Sequence, residues 1–195
     1  GIVIAIIRST HDKNIKDMKG ASKGILKILD IIARVYLTVI RGTPVVVQLM
    51  IMYYVVLVSS TNKILVATIA FGFNSGAYVA EIFRSGIMAI DNGQFEAGRS
   101  LGFNFVQTMR YIIVPQAFKN VLPALANEFI VLLKETSVAG YVGVMDLTKA
   151  GDIIRGRTFS AFMPLIAVAL VYLALVMILT YFVRLLERRL RKNER

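Results

Sequence analysis

The chain has 195 residues, of which 56% are hydrophobic and only 18% are charged, and its formal net charge is +11. A soluble domain of this length could not cover its surface with so few charged side chains, so the composition indicates a single membrane-embedded domain. The same composition excludes intrinsic disorder. Because the sequence contains no cysteine, disulfides and thiolate metal sites are excluded as well.

Five segments are predicted to lie in the membrane, at about 1–8, 43–59, 62–84, 121–144 and 160–184. The last is the clearest, because the 26 residues 158–183 carry no charge and a helix needs about 20 apolar residues to cross a bilayer. Residues 1–8 are too few to cross alone, so we expect them to end a helix that begins before residue 1. Residues 22–40 have helical apolar spacing interrupted by charges, which predicts an amphipathic helix at or rising from the cytoplasmic interface.

The basic residues collect between the apolar segments instead of along one face, which argues against a nucleic-acid partner. The predicted internal segments 8–27, 84–119 and 184–195 carry 6, 4 and 6 basic residues, whereas the external segments 59–63 and 146–157 carry 1 and 3. By the positive-inside rule, this distribution predicts a multi-pass protein with a cytoplasmic C-terminus.

Motifs for catalysis and nucleotide binding are missing from the sequence. It contains no G-x-x-x-x-G-K-[ST], G-x-S-x-G or H-E-x-x-H pattern, and His11 is its one histidine. We therefore expect a protein that is not an enzyme, with no catalytic residue, no metal site and no cofactor bound to this chain.

The internal segment 91–116 is too polar to cross a membrane. Glu96 and Ala97 followed by Gly102 predict a short helix with a glycine at its C-terminal end. Beyond it, apolar residues recur at helical spacing up to Pro115. A short helix held on the cytoplasmic face would offer a compact surface to a soluble partner.

Polar side chains inside the third predicted span are candidates for a substrate path. Asn74, Tyr78 and Glu81 fall at positions i, i+4 and i+7, on one face of a helix. Gln48 lies one turn inside the second span, where it bonds either a substrate or a neighbouring helix. An isolated carboxylate is costly in a membrane, so Glu81 either meets an ammonium or other cationic group of a substrate or pairs with Arg84 or a loop residue. The predicted substrate-binding residues are Gln48, Asn74, Ser75, Tyr78 and Glu81.

Two further groups of residues favour structural roles. Glu128, Lys134 and Glu135 lie at or near membrane depth, and we expect them to neutralise one another. Gly72 and Gly76 are four residues apart in one span, a spacing that allows close packing of helices.

These motifs together resemble the permease subunits of type I importers in the ATP-binding cassette (ABC) superfamily. Glu96-Ala97 with Gly102 and a later Pro115 is similar to their EAA loop, although Gly98 stands where a second alanine is usual. Other segments resemble the polar-amino-acid branch of that family, and the resemblance covers nearly the whole chain: 41–44 with Gln48, 80–86, 127–129 and 134–137.

The resemblance implies an all-α permease with about five transmembrane helices, in a bacterial inner membrane, with a cytoplasmic coupling helix. It implies a second permease, identical or related, and ATPase subunits that bind ATP and magnesium. It also implies an external binding protein, fused or separate, that delivers a polar amino acid. The predicted ATPase-coupling residues are Glu96, Ala97, Arg99 and Gly102.

Two alternatives stay open at this point. An ATP-independent transporter or channel would normally show more spans and internal repeats. A membrane scaffold without a transport role would not need an aligned polar face inside a span.

Overall fold

The computed structural model describes residues 1–15 and 20–192 of the chain. All regular structure in this part is helical, which confirms the all-α prediction. Lys16, Lys19 and Arg195, which contribute to the predicted orientation, lie outside the described residues. The helices are α1 (Ile2–Asn14), α2 (Ala21–Gly42), α3 (Val45–Ile51), α4 (Lys63–Met88), α5 (Asn92–Ser100), α6 (Phe105–Thr108), α7 (Val114–Glu135), α8 (Leu147–Thr158) and α9 (Phe162–Lys192).

Three shorter helical segments join these elements. Residues Met52–Val56 and Met109–Ile113 are π-helical, and Thr136–Val142 form a 3-10 helix. The described residues divide into two compact units, one made of Gly1–Gly42 and Gly76–Leu125, the other of Thr43–Ser75 and Ala126–Arg195. The helices α4 and α7 each supply residues to both units.

The first unit is built on small side chains that let α1, α2 and α4 approach one another. Leu37 of α2 packs with Ala77 and Ala80 of α4, and Ile4 of α1 lies against them. A second cluster lies beneath α5 and consists of Ile87, Ile90, Ile113 and Ala117.

The second unit has its own apolar core, and α8 packs on α9 beside it. A Cβ at Gly151 of α8 would lie 2.5 Å from Cγ2 of Val168 in α9, so only glycine allows this approach. The core is formed by Leu49, Ala67, Ala70, Phe71, Ala139 and Val142.

Helix α2 buries one of its charged side chains and exposes several of its large apolar ones. Asp30 is only 2% exposed, whereas Ile28 and Ile32 are each 60% exposed. A helix of a soluble protein has the opposite pattern. The predicted helix 22–40 is therefore present, and its exposed apolar face suits lipid tails better than a position flat on the membrane surface.

Within the described residues, two helices are long and apolar enough to cross a membrane by themselves, Lys63–Met88 and Phe162–Leu190. A third crossing is possible if α2 and the segment Val45–Val56 form one interrupted span. The segment Val45–Val56 is only about 18 Å long at 1.5 Å per residue, which is shorter than the hydrocarbon core of a bilayer. The helix expected at 43–59 thus has different bounds, with Pro44 just before its first residue.

The helix expected at 121–144 also has different bounds. It begins at Val114 and ends at Glu135, where the 3-10 segment takes over. Gly143, which follows that segment, has a positive φ of 74°, a conformation that ends the helical path.

The glycines of α4 differ in how closely neighbouring side chains approach them. A Cβ at Gly86 would lie 2.3 Å from Cγ2 of Val121 in α7, and one at Gly76 would lie 3.3 Å from Oη of Tyr36. A Cβ at Gly72 would meet nothing within 4 Å in the described chain. Of the two glycines expected to allow close packing, Gly76 therefore has a close neighbour here and Gly72 has none.

Replacing Gly86 with alanine should destabilise the folded chain by about 1–3 kcal/mol, because the added methyl group overpacks the contact with Val121. Gly72→Ala is the matched control in the same helix and should leave stability unchanged or raise it slightly. The measurement is the thermal unfolding midpoint of the purified chain in detergent.

Shortening the side chain of Val121 tests whether its contact with position 86 causes that loss of stability. The double variant Gly86→Ala/Val121→Ala should recover most of the stability that Gly86→Ala alone loses. If Gly86→Ala and Gly72→Ala unfold at the same temperature, the packing account of this contact is wrong.

Candidate functional site

Helix α5 is closed at both ends by hydrogen bonds within its own segment. At its start, a side-chain oxygen of Asp91 accepts a hydrogen bond from the N–H of Gly93 at 2.6 Å. At its end, Gly102 has a φ of 78°, its N–H donates to the carbonyl of Arg99, and the N–H of Phe103 donates to the carbonyl of Gly98. This pair of bonds is a Schellman motif. The predicted short helix with a glycine at its end is confirmed.

One side of α5 packs closely on the segment that follows it. Gly98 is buried, and a Cβ there would lie 2.6 Å from Cγ2 of Thr108. An alanine at position 98 would need Thr108 to move.

The same helix is tied to α1 through one lysine. The ammonium group of Lys13 donates a hydrogen bond to Oδ1 of Asn92 at 2.6 Å and lies 4.8 Å from the centroid of the Phe95 ring. A cation over an aromatic ring is attracted to it. Both contacts hold the start of α5 against α1.

The other side of α5 is exposed. Glu96, Ala97, Arg99 and Gly102 all lie on the surface of the described chain. The four predicted coupling residues therefore share one accessible segment, closed by hydrogen bonds at both ends and packed on one side.

The segment after α5 is helical from Phe105 onwards. Asn104 and Gln107 form a capping box with two bonds of 2.9 Å, and the helical path continues through the π-helical segment Met109–Ile113 into α7. The apolar residues that recur at helical spacing up to Pro115 thus lie on a helical path, and Pro115 is the second residue of α7.

Glu81 lies between two arginines in the first unit. Its Oε1 accepts from Nη2 of Arg84 at 2.8 Å, and its Oε2 lies 3.6 Å from Nη1 of Arg41. The Arg41 guanidinium also lies 5.5 Å from the centroid of the Tyr78 ring. The pairing with Arg84 that the sequence left open is thus present, and Arg41 adds a second cation and a link to Tyr78.

The Glu81 pair belongs to a larger network of charges. Arg84 also donates to Oδ2 of Asp12 at 3.1 Å. On the neighbouring helix, buried Asp30 lies 3.1 Å from Arg8 and 2.6 Å from Arg34. Of these residues, the sequence pointed to Arg84 as a partner of Glu81 and to Asp30 and Arg34 as charges that interrupt the apolar spacing of 22–40, but not to the pairs formed by Asp12 and Arg8. The available signal was an Asp and an Arg four residues apart within an apolar helix, the spacing of a helical ion pair.

A group of His11, Asp12 and Asp30 brings its ligand atoms within 4.8 Å of one another, which is compact enough for a metal ion. The two carboxylates are already engaged by arginines, namely Arg84 and Arg8. A metal ion would have to displace these pairs against the positive charge of the guanidinium groups, so the group fits the ion-pair network better than a metal site.

The other predicted substrate residues lie in the second unit. Nδ2 of buried Asn74 donates to Oε1 of Gln48 at 3.0 Å, and Nε2 of Gln48 donates to Oγ1 of Thr43 at 2.7 Å. Ser75 donates to Oε1 of Glu128 at 3.1 Å. The structure therefore brings Gln48 together with Asn74, and it gives Glu128 a hydroxyl partner instead of the lysine that we expected.

Segment 146–157, which was predicted to be external, contains a helix, α8, that the sequence did not lead us to expect. The signal for it was Asp146, whose side chain accepts a bond from the N–H of Lys149 at 2.6 Å and caps the helix. Later in α8, Arg155 donates to Asp152 at 2.6 Å, and Lys149 lies 3.4 Å from the same carboxylate. The hydrogen bond from Arg155 lowers the pKa of Asp152 most, and the hydrogen bond from Lys149 lowers it further, so this pKa lies below its usual value.

Comparison with known proteins gives a consistent result. Residues 20–192 match the family described as binding-protein-dependent transport system inner membrane component. The arginine transport system permease protein ArtQ of Bacillus subtilis is 41% identical over 166 residues, which are 84% of this chain and 76% of that protein. The glutamine transport system permease protein GlnP of Escherichia coli K12 is 38% identical over 164 residues, which are 82% and 75% of the two chains.

Solved structures match over almost the full chain. A crystal structure of an amino acid ABC transporter with histidines shares 40% sequence identity at a TM-score of 0.80, covering 96% of this chain and 86% of that one. The inward-facing MetNI methionine ABC transporter has a TM-score of 0.75 and covers 96% of this chain and 84% of its own, but at 19% identity it supports the fold alone. The expected fold class, that of type I ABC importer permeases, is confirmed.

Replacing Gly102 with alanine should loosen the end of α5. A Cβ at this position would meet no atom within 4 Å, so the cost comes from the left-handed backbone alone and is about 1–2 kcal/mol. Gly102→Asn is the matched control, because asparagine tolerates this conformation better. Hydrogen–deuterium exchange of the peptide covering 92–103 should be faster in the alanine variant than in the asparagine variant. Equal exchange in the alanine variant and the unaltered chain would contradict the role given to Gly102.

Proposed function

The chain belongs to the family of binding-protein-dependent transport system inner membrane components, and on that premise we propose that it is a permease subunit of an ABC importer for a polar amino acid. As a family member it is a multi-pass inner-membrane transport protein and not an enzyme. The amino-acid substrate is supported by the relatives, which are named for arginine and glutamine. A channel, an ATP-independent transporter or a scaffold is not favoured by that family membership.

The observation that carries the coupling role is the construction of α5. Its four candidate residues are exposed, while its ends are closed by hydrogen bonds and its inner side is packed on Thr108. We propose that an ATPase subunit grips this surface and that ATP and magnesium are held on that partner chain. In this arrangement the C-terminus of α9 lies in the cytoplasm, on the same side as α5.

A movement of α5 has a physical route to Glu81 within the first unit. Lys13 ties α5 to α1, its neighbour Asp12 pairs with Arg84, and Arg84 pairs with Glu81. We propose that the ATPases, by closing and opening, shift this connected group between two states. The second permease and the external binding protein would bias the same equilibrium from the other side of the membrane.

The substrate end of the proposal rests on Arg41 and Glu81. An amino acid carries a carboxylate and an ammonium group, and this pair presents one complementary charge to each. Both residues line a cavity that also includes Thr38 and Gly42. The relatives are named for arginine, whose side chain is cationic, and for glutamine, whose side chain is an amide. Arg41 and Glu81 would therefore bind the carboxylate and ammonium groups that all amino acids share.

Glu96→Ala should weaken the attachment of the ATPase. Truncating one of the few residues that dominate an interface costs about 2 kcal/mol or more, and we propose that Glu96 is such a residue, so we expect at least about tenfold less ATPase to co-purify with the tagged permease from its native membrane. The matched control is Glu187→Ala, which removes a carboxylate near the end of α9. The measurement is the ratio of the two chains by quantitative mass spectrometry.

An equimolar P-loop ATPase with the unaltered chain, together with its selective loss in Glu96→Ala, supports the role of α5. If the two variants retain the same amount of ATPase and the same coupled transport, the ATPase does not bind through this surface of α5. A chain that purifies alone after cross-linking would overturn the ABC assignment of its partners.

Glu81→Gln should raise the KM for the transported amino acid by about tenfold, which corresponds to about 1.4 kcal/mol of lost binding. The control is Asp12→Asn, which removes the other carboxylate from Arg84 and leaves Glu81 in place. We expect Asp12→Asn to lower the maximal rate without raising KM. If both variants have the same kinetics, Glu81 acts only as a partner of Arg84.

A further inference from the structure

The corner between α8 and α9 contains an unusual residue, Phe159. Its backbone has a φ of 52° and a ψ of 22°, and its side chain is 95% exposed. In the described part of the chain it is the one residue other than glycine with a positive φ. Phe159 therefore combines two separate features, a strained backbone and an exposed aromatic ring.

Neither feature is expected of a phenylalanine in water. A bulky side chain in the left-handed region clashes with its own backbone, and glycine or asparagine would fit there without that clash. A fully exposed aromatic ring leaves its apolar surface in contact with solvent. Since the chain itself offers this ring no cover, its partner should be outside the chain and apolar.

The position of the corner identifies that partner. Helix α9, one of the two helices long enough to cross a membrane alone, begins three residues later at Phe162. Phe162 and Met163 are 68% and 70% exposed, so the apolar surface continues from Phe159 into the span. On the other side of Phe159, α8 ends with Arg155 and Arg157. Segments that lie in the membrane interface commonly carry Phe, Leu or Trp on their apolar side together with Lys and Arg on their polar side.

The corner is also held in place from within. The tight contact between Gly151 and Val168 fixes α8 against α9, and Asp152 engages Lys149 and Arg155. The ring of Phe159 thus projects from a fixed support and not from a loose loop.

We propose that Phe159 is a membrane anchor that inserts its ring into the boundary between headgroups and lipid tails at the start of α9. The lipid covers the ring, and the left-handed backbone aims it there. The anchor sets the depth at which α8 lies on the membrane, with Arg157 directed at lipid phosphates. This inference depends on the membrane location of the chain and not on the identity of the transported substrate.

The test is the reactivity of single cysteines towards a membrane-impermeant maleimide, in the assembled complex in lipid nanodiscs. The sequence has no cysteine, so Phe159→Cys can be compared with two controls. Thr61→Cys, at an exposed position of the predicted external segment 59–63, is the water-exposed control, and Leu170→Cys in α9 is the lipid control. Background labelling is measured on the complex without an introduced cysteine. We expect position 159 to react roughly an order of magnitude more slowly than position 61, and close to the rate of position 170.

Adding the external binding protein separates the two possible partners of the ring. Protection at position 159 that is already complete without it supports lipid as the partner. Fast labelling that slows only when the binding protein is present would overturn the proposal and assign the corner to docking. Fast labelling under both conditions would overturn it as well. If the Phe159→Cys complex does not assemble, Phe162→Cys tests the same surface, and its rapid labelling would count against the anchor.

Discussion

A charge inside a membrane-crossing protein must find its partner within the protein, because lipid tails supply neither water nor a counter-ion. This constraint organises the first unit of the chain. Asp30 lies between Arg8 of α1 and Arg34 of α2, and Glu81 and Asp12 share Arg84. The network ties α1, α2 and α4 into one body. The apolar face of α2 is then left free to face lipid.

The same network is connected to α5, the proposed coupling helix, through Lys13 and its neighbour Asp12. Helix α5 has no long apolar face of its own, and it depends on Lys13 and on the close approach of Gly98 to Thr108 for its position. A glycine at position 98 and a left-handed glycine at 102 allow a short polar helix to be packed on one side and accessible on the other. In the proposed mechanism, the accessible side receives the movement of the ATPase and the packed side passes it to the ion pairs.

Much of this arrangement follows from local sequence, and the rest depends on contacts that a single sequence does not display. The uncharged run in α9 and the end of α5 at Gly102 could be predicted, because hydropathy and glycine conformation act locally. The continuation of the helix through Pro115 could not be predicted, because it depends on the π-helical segment that comes before it. The partners of Glu81 and Glu128 were also only partly predictable: Arg84 is three residues away, but Arg41 and Ser75 are distant in sequence.

The central claim is that this chain forms the path of an ATP-driven amino-acid importer. The most direct measurement is uptake of radiolabelled arginine and glutamine into proteoliposomes that contain the purified complex and the external binding protein. The account predicts uptake of at least one amino acid that requires hydrolysable ATP and the binding protein. Uptake that proceeds equally well without ATP, or a complex that hydrolyses ATP and moves no amino acid, would contradict it.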